Sequence, residues 1–334
     1  MQILTVTPTE INWHSGLPVF ASEPFLKSVS DEYGWLGGHD SSGQLRCVLP
    51  YTVIRKPGFH IIRFRTETIP LADLAVEEEM FFLDDVVRYF RRSGADMIIP
   101  ATNTALFRTY PNGAVAAPYG TFIKNLDKGE DILWSELHGD CQQNIRKATK
   151  AGLRIRSGKE HLETAYHLIA DTLRRSGVKF RSSDEFGKIL LSLGDKVRIF
   201  LVEQGGIVQA CMVSPFSLHS AYDWYSGTIG RPSRGAMNLL LWQAMLEFQA
   251  LGVKQFNFTG IRINPEKGSK QEGIWNFKMR FGGRQVQGYM WKYSLRPIKF
   301  AAYSLAVRLL RGGDIVDVER HKLERKVSQV GTSC

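Results

Sequence analysis

Residues 273–283 read Gly-Ile-Trp-Asn-Phe-Lys-Met-Arg-Phe-Gly-Gly, a short aromatic and basic turn of helix that is closed by two glycines. A strand-like run over 253–258 and a glycine-containing loop over 259–261 come before it. Lys278 lies inside this helical turn, and we expect its side chain to be exposed. A cation held at such a junction can meet a negative charge that develops during a reaction. The stretch therefore predicts a strand, loop and helix unit with a lysine of functional interest.

The residues around this stretch alternate between helical and extended patterns, which favours an α/β fold. A glycine pair at 205–206 predicts a hairpin, and Asp184 is a candidate N-cap for a short helix that ends near Leu193. The predicted helices are 162–176 and 236–250, and the predicted strands are 197–203, 207–213, 221–228, 253–258 and 285–293.

An internal echo links the two halves of the chain. In each half, a helix with a phenylalanine near its end is followed by glycine and a strand: Phe90 with Gly94, and Phe248 with Gly252. Glycine is common just past a helix end because it tolerates the left-handed conformation. Many α/β proteins contain this arrangement, so the echo alone leaves open whether the chain is a tandem of two similar domains.

Length and charge set the outer limits. A chain of 334 residues is long for one hydrophobic core, and its net charge of +10 favours anionic partners such as phosphates, nucleotides or RNA. The four cysteines stand far apart without metal-binding spacing, which predicts free thiols in a reducing, cytoplasmic setting and no metal. We also expect no signal peptide and no membrane-spanning segment.

Four motifs in order carry a resemblance to a known family. The chain resembles the FemABX-like, or BioF2-like, branch of the GNAT acyltransferase superfamily over roughly residues 130 to 290, and its first half resembles that branch more weakly. The resemblance implies a mixed α/β fold with two GNAT-like domains, at 1–140 and 141–294, before a basic helical tail at 295–334 that packs on the first domain. The motifs are 144–152, 224–228, 256–260 and 277–283.

The resemblance also implies transfer of an acyl or aminoacyl group to an amine of a cell-envelope precursor, either a peptidoglycan peptide or a polysaccharide amino sugar. The donor is then aminoacyl-tRNA or acetyl-CoA. An acetyl-CoA-dependent N-acetyltransferase acting on a sugar amine is the alternative enzyme. A phosphate- or nucleic-acid-binding protein on a non-catalytic GNAT scaffold is the alternative from another class. Because no Ser-His-Asp order or GxSxG motif is present, we expect direct attack by the amine.

Three residues are candidates for the chemistry. Asp223 lies in an apolar strand, where a carboxylate is costly unless it is paired, so it either binds and deprotonates the amine or forms a structural salt bridge. Tyr225 falls on the same predicted face. Lys278 is either solvated or, as the resemblance implies, stabilises the oxyanion of the tetrahedral intermediate.

The candidate binding residues are mostly basic. Arg146, Lys147 and Lys150 start a basic run that is either a solvated helix or a clamp for the phosphates of a nucleotide or tRNA. Arg234 and Gly235 lie where GNAT proteins carry a pyrophosphate loop, but the glycine comes one residue late after Arg231, which puts coenzyme A binding in question. The resembling motifs add Trp224, Thr228 and Phe277.

The tail is the last candidate surface. Residues 295–310 are apolar with basic residues interspersed, and the chain is then highly charged through Lys326. Such a helix can lie on an anionic membrane surface or pack on the first domain. We therefore expect a protein that acts in the cytoplasm and can meet the inner face of the membrane.

Overall fold

A computed structural model describes the backbone of residues 1–331 and the side chains of residues 1–324. Ten helices and fourteen strands alternate along these residues. The strands are β1 (Gln2–Val6), β2 (Glu32–His39), β3 (Leu45–Lys56), β4 (Phe59–Phe64), β5 (Ile69–Pro70), β6 (Met97–Ile98), β7 (Val115–Asn125), β8 (Arg154–Ser157), β9 (Val197–Gln204), β10 (Ile207–Pro215), β11 (Ala221–Tyr222), β12 (Tyr225–Thr228), β13 (Gln255–Ile261) and β14 (Arg284–Ser294).

The helices flank these strands. They are α1 (Glu23–Val29), α2 (Val76–Arg92), α3 (Glu130–Ser135), α4 (Gly139–Lys150), α5 (Leu162–Arg175), α6 (Ser183–Leu193), α7 (Ala236–Ala250), α8 (Lys270–Met279), α9 (Pro297–Arg311) and α10 (Ile315–Gly331). Within the described part of the chain, no helix is both long and apolar enough to cross a membrane.

Two sheets organise the fold. The larger has ten strands in the order β1-β2-β3-β4-β6-β14-β7-β13-β11, with β5 paired to β3, and the smaller has the order β12-β10-β9-β8. Strand β14 pairs with β7 over residues 284–292 and then with β6 over 293–294. The large sheet therefore continues across the predicted boundary at 140/141, although the α/β class with helices on the sheets is as predicted.

Most elements predicted in the second half are present. The hairpin turns at Gly205 and Gly206, whose φ angles are +57° and +81°. The N-cap of α6 is Ser182, not Asp184, because Ser182 and Glu185 exchange side-chain to backbone hydrogen bonds in a capping box. The predicted strand over 221–228 is wrong as a single element, since it breaks into β11 and β12 in different sheets.

The echo of Phe90-Gly94 and Phe248-Gly252 has a local cause. The amide that follows each glycine donates to the phenylalanine carbonyl, at 3.0 Å in both places. Equivalent bonds close α4 and α5, from Leu153 to Ala148 and from Val178 to Leu173. The echo thus reports how these helices end, and it is not specific to a domain duplication.

The hydrophobic core joins the two halves. Phe20 and Phe25, near the N-terminus, pack in one cluster with Phe186 and Trp224 of the second half. At the other end of the chain, α10 packs on β7 and β14, and the buried Lys292 binds Asp314 and Asp317 at 2.8 and 2.6 Å. Cys47, Cys141 and Cys211 are buried free thiols, whereas Cys334 lies outside the described residues.

Candidate active site

The break between β11 and β12 opens the site. Ala221 and Tyr222 pair in parallel with β13, and the amide of Asp223 still donates to Asn257 O at 3.0 Å. From Tyr225 onward the chain pairs with β10 in the smaller sheet. The two sheets separate at Asp223 and Trp224, and we call this junction the wedge. The predicted alternation of side chains fails here because the strand changes sheets.

A bulge in β13 faces the wedge. The pairing of β13 with β7 shifts register between Asn257 and Gly260, and Thr259 has a φ of +56°, which is uncommon for a threonine. Asn257 Oδ1 holds this conformation by accepting from the Thr259 amide at 2.8 Å and from Thr121 Oγ1 at 2.7 Å. Thr259 Oγ1 donates to the carbonyl oxygen of Asp223 at 3.0 Å. The bulge is thereby attached directly to the point where the sheets separate.

Lys278 is buried, and the prediction of an exposed lysine is wrong. Only 9% of the Lys278 surface is exposed. Its Nζ donates to the carbonyl oxygen of Phe258 and, at 3.5 Å, to that of Thr259. Trp275 and Phe277 of α8 pack against the hydrophobic core, and this orientation of the helix directs the Lys278 side chain to the bulge. Burial lowers the pKa of Lys278, and the charge of Asp223 opposes this shift. An ammonium has three donors, so one remains beyond the two carbonyls.

Asp223 is electrostatically coupled to Lys278 without forming an ion pair. The described residues show no contact within 4.0 Å between their charged atoms, and Ser226 Oγ donates to Asp223 Oδ1 at 2.5 Å. Burial raises the pKa of Asp223, while Lys278 and Ser226 act in the opposite direction. Both shifts favour the neutral forms of the two side chains. Such a pair can take up and release a proton during a reaction.

Of the two aromatic candidates at 224–225, one belongs to the hydrophobic core and the other contacts an arginine. Trp224 is buried against Phe20, Phe25 and Phe186, which accounts for it as a core residue. Tyr225 is half-buried, and its hydroxyl accepts from Arg181 Nη2 at 3.5 Å.

Two further binding candidates have structural contacts. Phe277 packs on Phe281, with ring centroids 5.4 Å apart. The backbone of Thr228 is occupied by Thr172, whose Oγ1 accepts from the Thr228 amide at 2.9 Å and lies 3.2 Å from the Thr228 carbonyl oxygen. The structure therefore ties Thr228 to α5.

The predicted basic residues lie on the exposed face of α4. Arg146, Lys147 and Lys150 are exposed and have no ion pair among residues 1–324, and the Arg146 guanidinium lies 5.3 Å from the ring centroid of Trp134. Arg234 and Gly235 join this helix: Arg234 Nε donates to Asn144 Oδ1 at 3.0 Å, and a Cβ on Gly235 would lie 2.2 Å from the Asn144 carbonyl oxygen. Lys278 and Asp223 have no direct contact with any of these five residues in the part of the chain that the structure describes.

Sequence reasoning missed three arginines near Tyr225. Arg181 Nη2 lies 3.5 Å from the Tyr225 hydroxyl. Arg63 and Arg65 lie two residues apart at the end of β4, where Arg63 Nε donates to Pro100 O at 3.2 Å and Arg65 Nε donates to Thr52 Oγ1 at 2.9 Å. Burial lowers the pKa of Arg65 to about 9, the other two arginines add to the shift, and Tyr225 opposes it. No carboxylate forms an ion pair with any of the three among the described residues. We call this group the arginine cleft. The alternation of Ile62 and Phe64, both buried, with these arginines was the signal in the sequence.

The arginine cleft and the bulge share a wall. Thr102 and Thr104 donate through Oγ1 to the Arg65 carbonyl oxygen at 3.1 and 3.2 Å, and the Gly260 amide of the bulge donates to Asn103 O at 3.0 Å. Residues 102–104 thus connect the end of β4 to β13, whose carbonyl oxygens at Phe258 and Thr259 bind Lys278.

Glu67 is a further titratable residue, and it lies beside the segment that follows residues 102–104. One of its carboxylate oxygens accepts from the Leu106 amide at 3.2 Å, and no cation pairs with it among the described residues. Burial raises the pKa of Glu67 to about 7. The described residues contain no cluster of three or more histidine, cysteine, aspartate or glutamate side chains that could hold a metal ion.

Comparisons with known proteins agree with this architecture. Residues 109–204 match the FemAB family, and no curated protein matches the chain by sequence. The crystal structure of FemX is similar over 90% of this chain and 99% of its own, with a TM-score of 0.67 and 14% identity.

Two more solved structures match less closely. A tandem GNAT protein from the clavulanic acid biosynthesis pathway covers 88% of this chain and 98% of its own, with a TM-score of 0.51 and 11% identity. The C-terminal domain of a protein from Agrobacterium fabrum, named as a lysylphosphatidylglycerol synthetase, covers 81% and 88%, with a TM-score of 0.50 and 14% identity. Residues 109–204 therefore resemble the FemAB family in sequence, and the chain resembles FemX and, less closely, a tandem GNAT protein in fold.

Proposed function

We propose that this protein transfers an acyl or aminoacyl group to an amine of a cell-envelope precursor by direct attack. The observation that carries the proposal is the coupled pair of buried Lys278 and half-buried Asp223, which lies where the sheets separate. Residues 102–104 connect this region to the arginine cleft. The family match and the fold make envelope acyl transfer the reaction to test first.

The chemistry follows from the pair. A bond forms between the amine nitrogen and the acyl carbon, and the bond from that carbon to the ester oxygen or thioester sulfur of the donor breaks. Asp223, whose pKa is raised by burial, accepts the proton that the attacking nitrogen loses, and this proton then passes to the leaving oxygen or sulfur of the donor. The remaining N–H of Lys278 donates to the oxyanion, which carries charge only during the reaction. Tyr225 lies at the border between this pair and the arginine cleft.

The arginine cleft suits a phosphate-bearing acceptor. Guanidinium groups taken partly out of water without an anionic partner are unfavourable, and a phosphate supplies the bidentate acceptors they lack. Glu67, which also has no cationic partner among the described residues, can hold the ammonium of the same acceptor. We infer that Arg63, Arg65 and Arg181 bind the acceptor's phosphate groups and that Glu67 contributes to the amine end.

The exposed face of α4 suits the donor. Arg146, Lys147 and Lys150, with Arg234 beside them, present cations that no carboxylate of the described residues neutralises, as expected for contact with the phosphates of tRNA. Acetyl-CoA is the second candidate donor, because the left-handed Gly235 at the start of α7 lies beside these cations and helix N-termini bind phosphate. In that case the reaction is N-acetylation of a sugar amine.

We place the reaction in the cytoplasm, at or near the inner face of the membrane, where charged tRNA, coenzyme A and nucleotide-linked precursors are found. A transfer assay tests the proposal: the purified protein is given labelled aminoacyl-tRNA or labelled acetyl-CoA together with nucleotide-linked amino sugars or peptides. Transfer from aminoacyl-tRNA to an amine supports the proposal. Acetyl transfer alone establishes the second enzyme, and phosphate or RNA binding without transfer from either donor supports a non-catalytic binding protein.

A further inference from the structure

Helix α9 is attached to the protein through one face. Tyr303 packs on Phe59, with ring centroids 6.1 Å apart, and Lys299 Nζ donates to Gly58 O at 2.7 Å and to Asp96 at 3.0 Å. Phe300 joins the same small cluster of apolar side chains. These contacts fix the helix against the hairpin of β3 and β4 and the start of β6.

The opposite face of α9 is apolar and uncovered. Ile298, Leu305 and Leu309 are 88%, 58% and 78% exposed, and at 3.6 residues per turn they lie within about 40° of one another around the helix. Leu310 is also exposed, at 82%, but it lies about 100° further around the helix from Leu309 and is not part of this face. The helix has no buried residue at all. Exposed aliphatic side chains concentrated on one helix face mark a surface that contacts another apolar phase.

The charges around this face identify the phase. The helix contains no acidic residue, and its Arg308 and Arg311 form no ion pair among the described residues. Lys299 and Arg296, by contrast, pair with Asp96 on the attached side. A second copy of the chain would bring the same cations and another net charge of +10 against it, which is unfavourable. An anionic bilayer supplies both the opposite charge and the apolar boundary.

We propose that α9 docks on a phospholipid bilayer that contains anionic lipid. Its outer face, formed by Ile298, Leu305 and Leu309, enters the boundary between head groups and acyl chains, and its arginines contact lipid phosphates. Tyr303 packs on Phe59 of β4, the strand that also carries Arg63, so docking brings the arginine cleft toward the membrane surface. That last consequence depends on the proposed function, whereas the docking itself does not.

Vesicle sedimentation tests the docking. The full chain is mixed with vesicles of phosphatidylcholine alone or of phosphatidylcholine with phosphatidylglycerol, and the bound fraction is measured at low and high salt. We expect binding to the anionic vesicles, weaker at high salt, and at least about tenfold weaker binding for an I298S/L305S/L309S variant. The matched control is L191S/I207S, which removes apolar side chains that are 77% and 63% exposed elsewhere and should bind as wild type does.

A charge variant and a mass measurement complete the test. R308Q/R311Q should lose the preference for anionic vesicles. No binding of the wild-type chain to either vesicle overturns the proposal, and so does equal binding by the triple serine variant. A wild-type dimer in solution that becomes a monomer in the triple serine variant would show that a second copy covers this face, which also overturns it. Loss of binding with unchanged transfer activity leaves the proposed function intact, so the two failures are distinguishable.

Discussion

Lys278 and the basic residues of α4 look alike in the sequence, but the structure treats them differently. Lys278 is buried, bonded to two backbone carbonyls and coupled to Asp223. Arg146, Lys147 and Lys150 are exposed and have no ion pair within the residues described here. A fixed, desolvated cation interacts strongly with a charge that forms beside it, whereas exposed cations attract phosphates over a distance that salt shortens. The comparison separates residues suited to the chemical step from residues suited to binding.

The largest effect is expected at Lys278. Lys278→Ala should lower kcat by about 100- to 1000-fold with nearly unchanged donor binding, because the oxyanion exists only in the transition state. Because Lys278 is buried, the alanine variant should also be less stable. The carbonyls of Phe258 and Thr259 lose their donor, which lowers the free energy of unfolding by roughly 1–3 kcal/mol. Lys278→Met removes the same donor but keeps the packing, so it is the control for the cavity that alanine leaves, and Lys278→Arg should rescue poorly. Steady-state kinetics beside melting curves measure both effects, and a fully active alanine variant would remove Lys278 from the mechanism.

Asp223 sets the expected pH dependence. A base must be deprotonated, so activity should fall as pH decreases through the raised pKa of Asp223, above the usual carboxyl range. The lysine must be protonated, so activity should also fall as pH increases through the lowered pKa of Lys278. Asp223→Asn should reduce kcat by about 100-fold, abolish the acid limb and move the alkaline limb to lower pH, because a charge that favours the ammonium is removed. An unchanged pH–rate profile would assign Asp223 a structural role.

The arginine cleft should affect acceptor binding. Arg65→Met should raise the KM for a phosphate-bearing acceptor by about 10- to 100-fold with little change in kcat, since a charged hydrogen bond is worth about 1.5–3 kcal/mol. The melting temperature of the free protein should change little, because the variant loses a half-buried cation that has no anionic partner among the described residues and also loses the hydrogen bond from Arg65 Nε to Thr52 Oγ1. Arg88→Met on the exposed side of α2 is a control for loss of charge. A lowered melting temperature with unchanged KM would mean that Arg65 serves the fold.

The smallest effect is expected on α4. An R146Q/K150Q variant should bind aminoacyl-tRNA less tightly, by up to about fivefold per residue. The slope of log affinity against log salt should become shallower by about one for each phosphate that the variant no longer binds. Binding isotherms at several salt concentrations measure this, with R174Q on α5 as an exposed control. An unchanged slope would show that these cations are only solvated.

The sequence predicted the helices and strands better than it predicted which side chains are buried and which sheet each strand joins. Helical spacing and glycine turns located α5, α7 and the β9–β10 hairpin, because these features are local. The burial of Lys278 was missed because it depends on a bulge in β13 that is held by Asn257 and Thr121 from another strand. The break at Asp223 was missed for a similar reason: which sheet a strand joins is decided by distant partners. Arg63 and Arg65 were detectable as polar positions alternating with Ile62 and Phe64, but their convergence with Arg181 was not.

The arrangement of the two halves also depends on long-range pairing that the sequence did not predict. The resemblance predicted the two-part GNAT-like fold, yet β14 lies between β6 and β7 and makes one sheet from strands of both halves. The boundary at 140/141 remains a prediction. Pairing between strands that lie far apart along the chain is not encoded in any local pattern.

The central claim is that Lys278 acts on the transition state and not on substrate binding. Single-turnover transfer by Lys278→Met, with donor and acceptor both saturating, tests it most directly, because binding then no longer limits the observed rate. The account predicts a transfer step about 100- to 1000-fold slower than in the wild-type protein, with dissociation constants for both substrates unchanged. A transfer step at the wild-type rate, with weaker binding of either substrate, would contradict it.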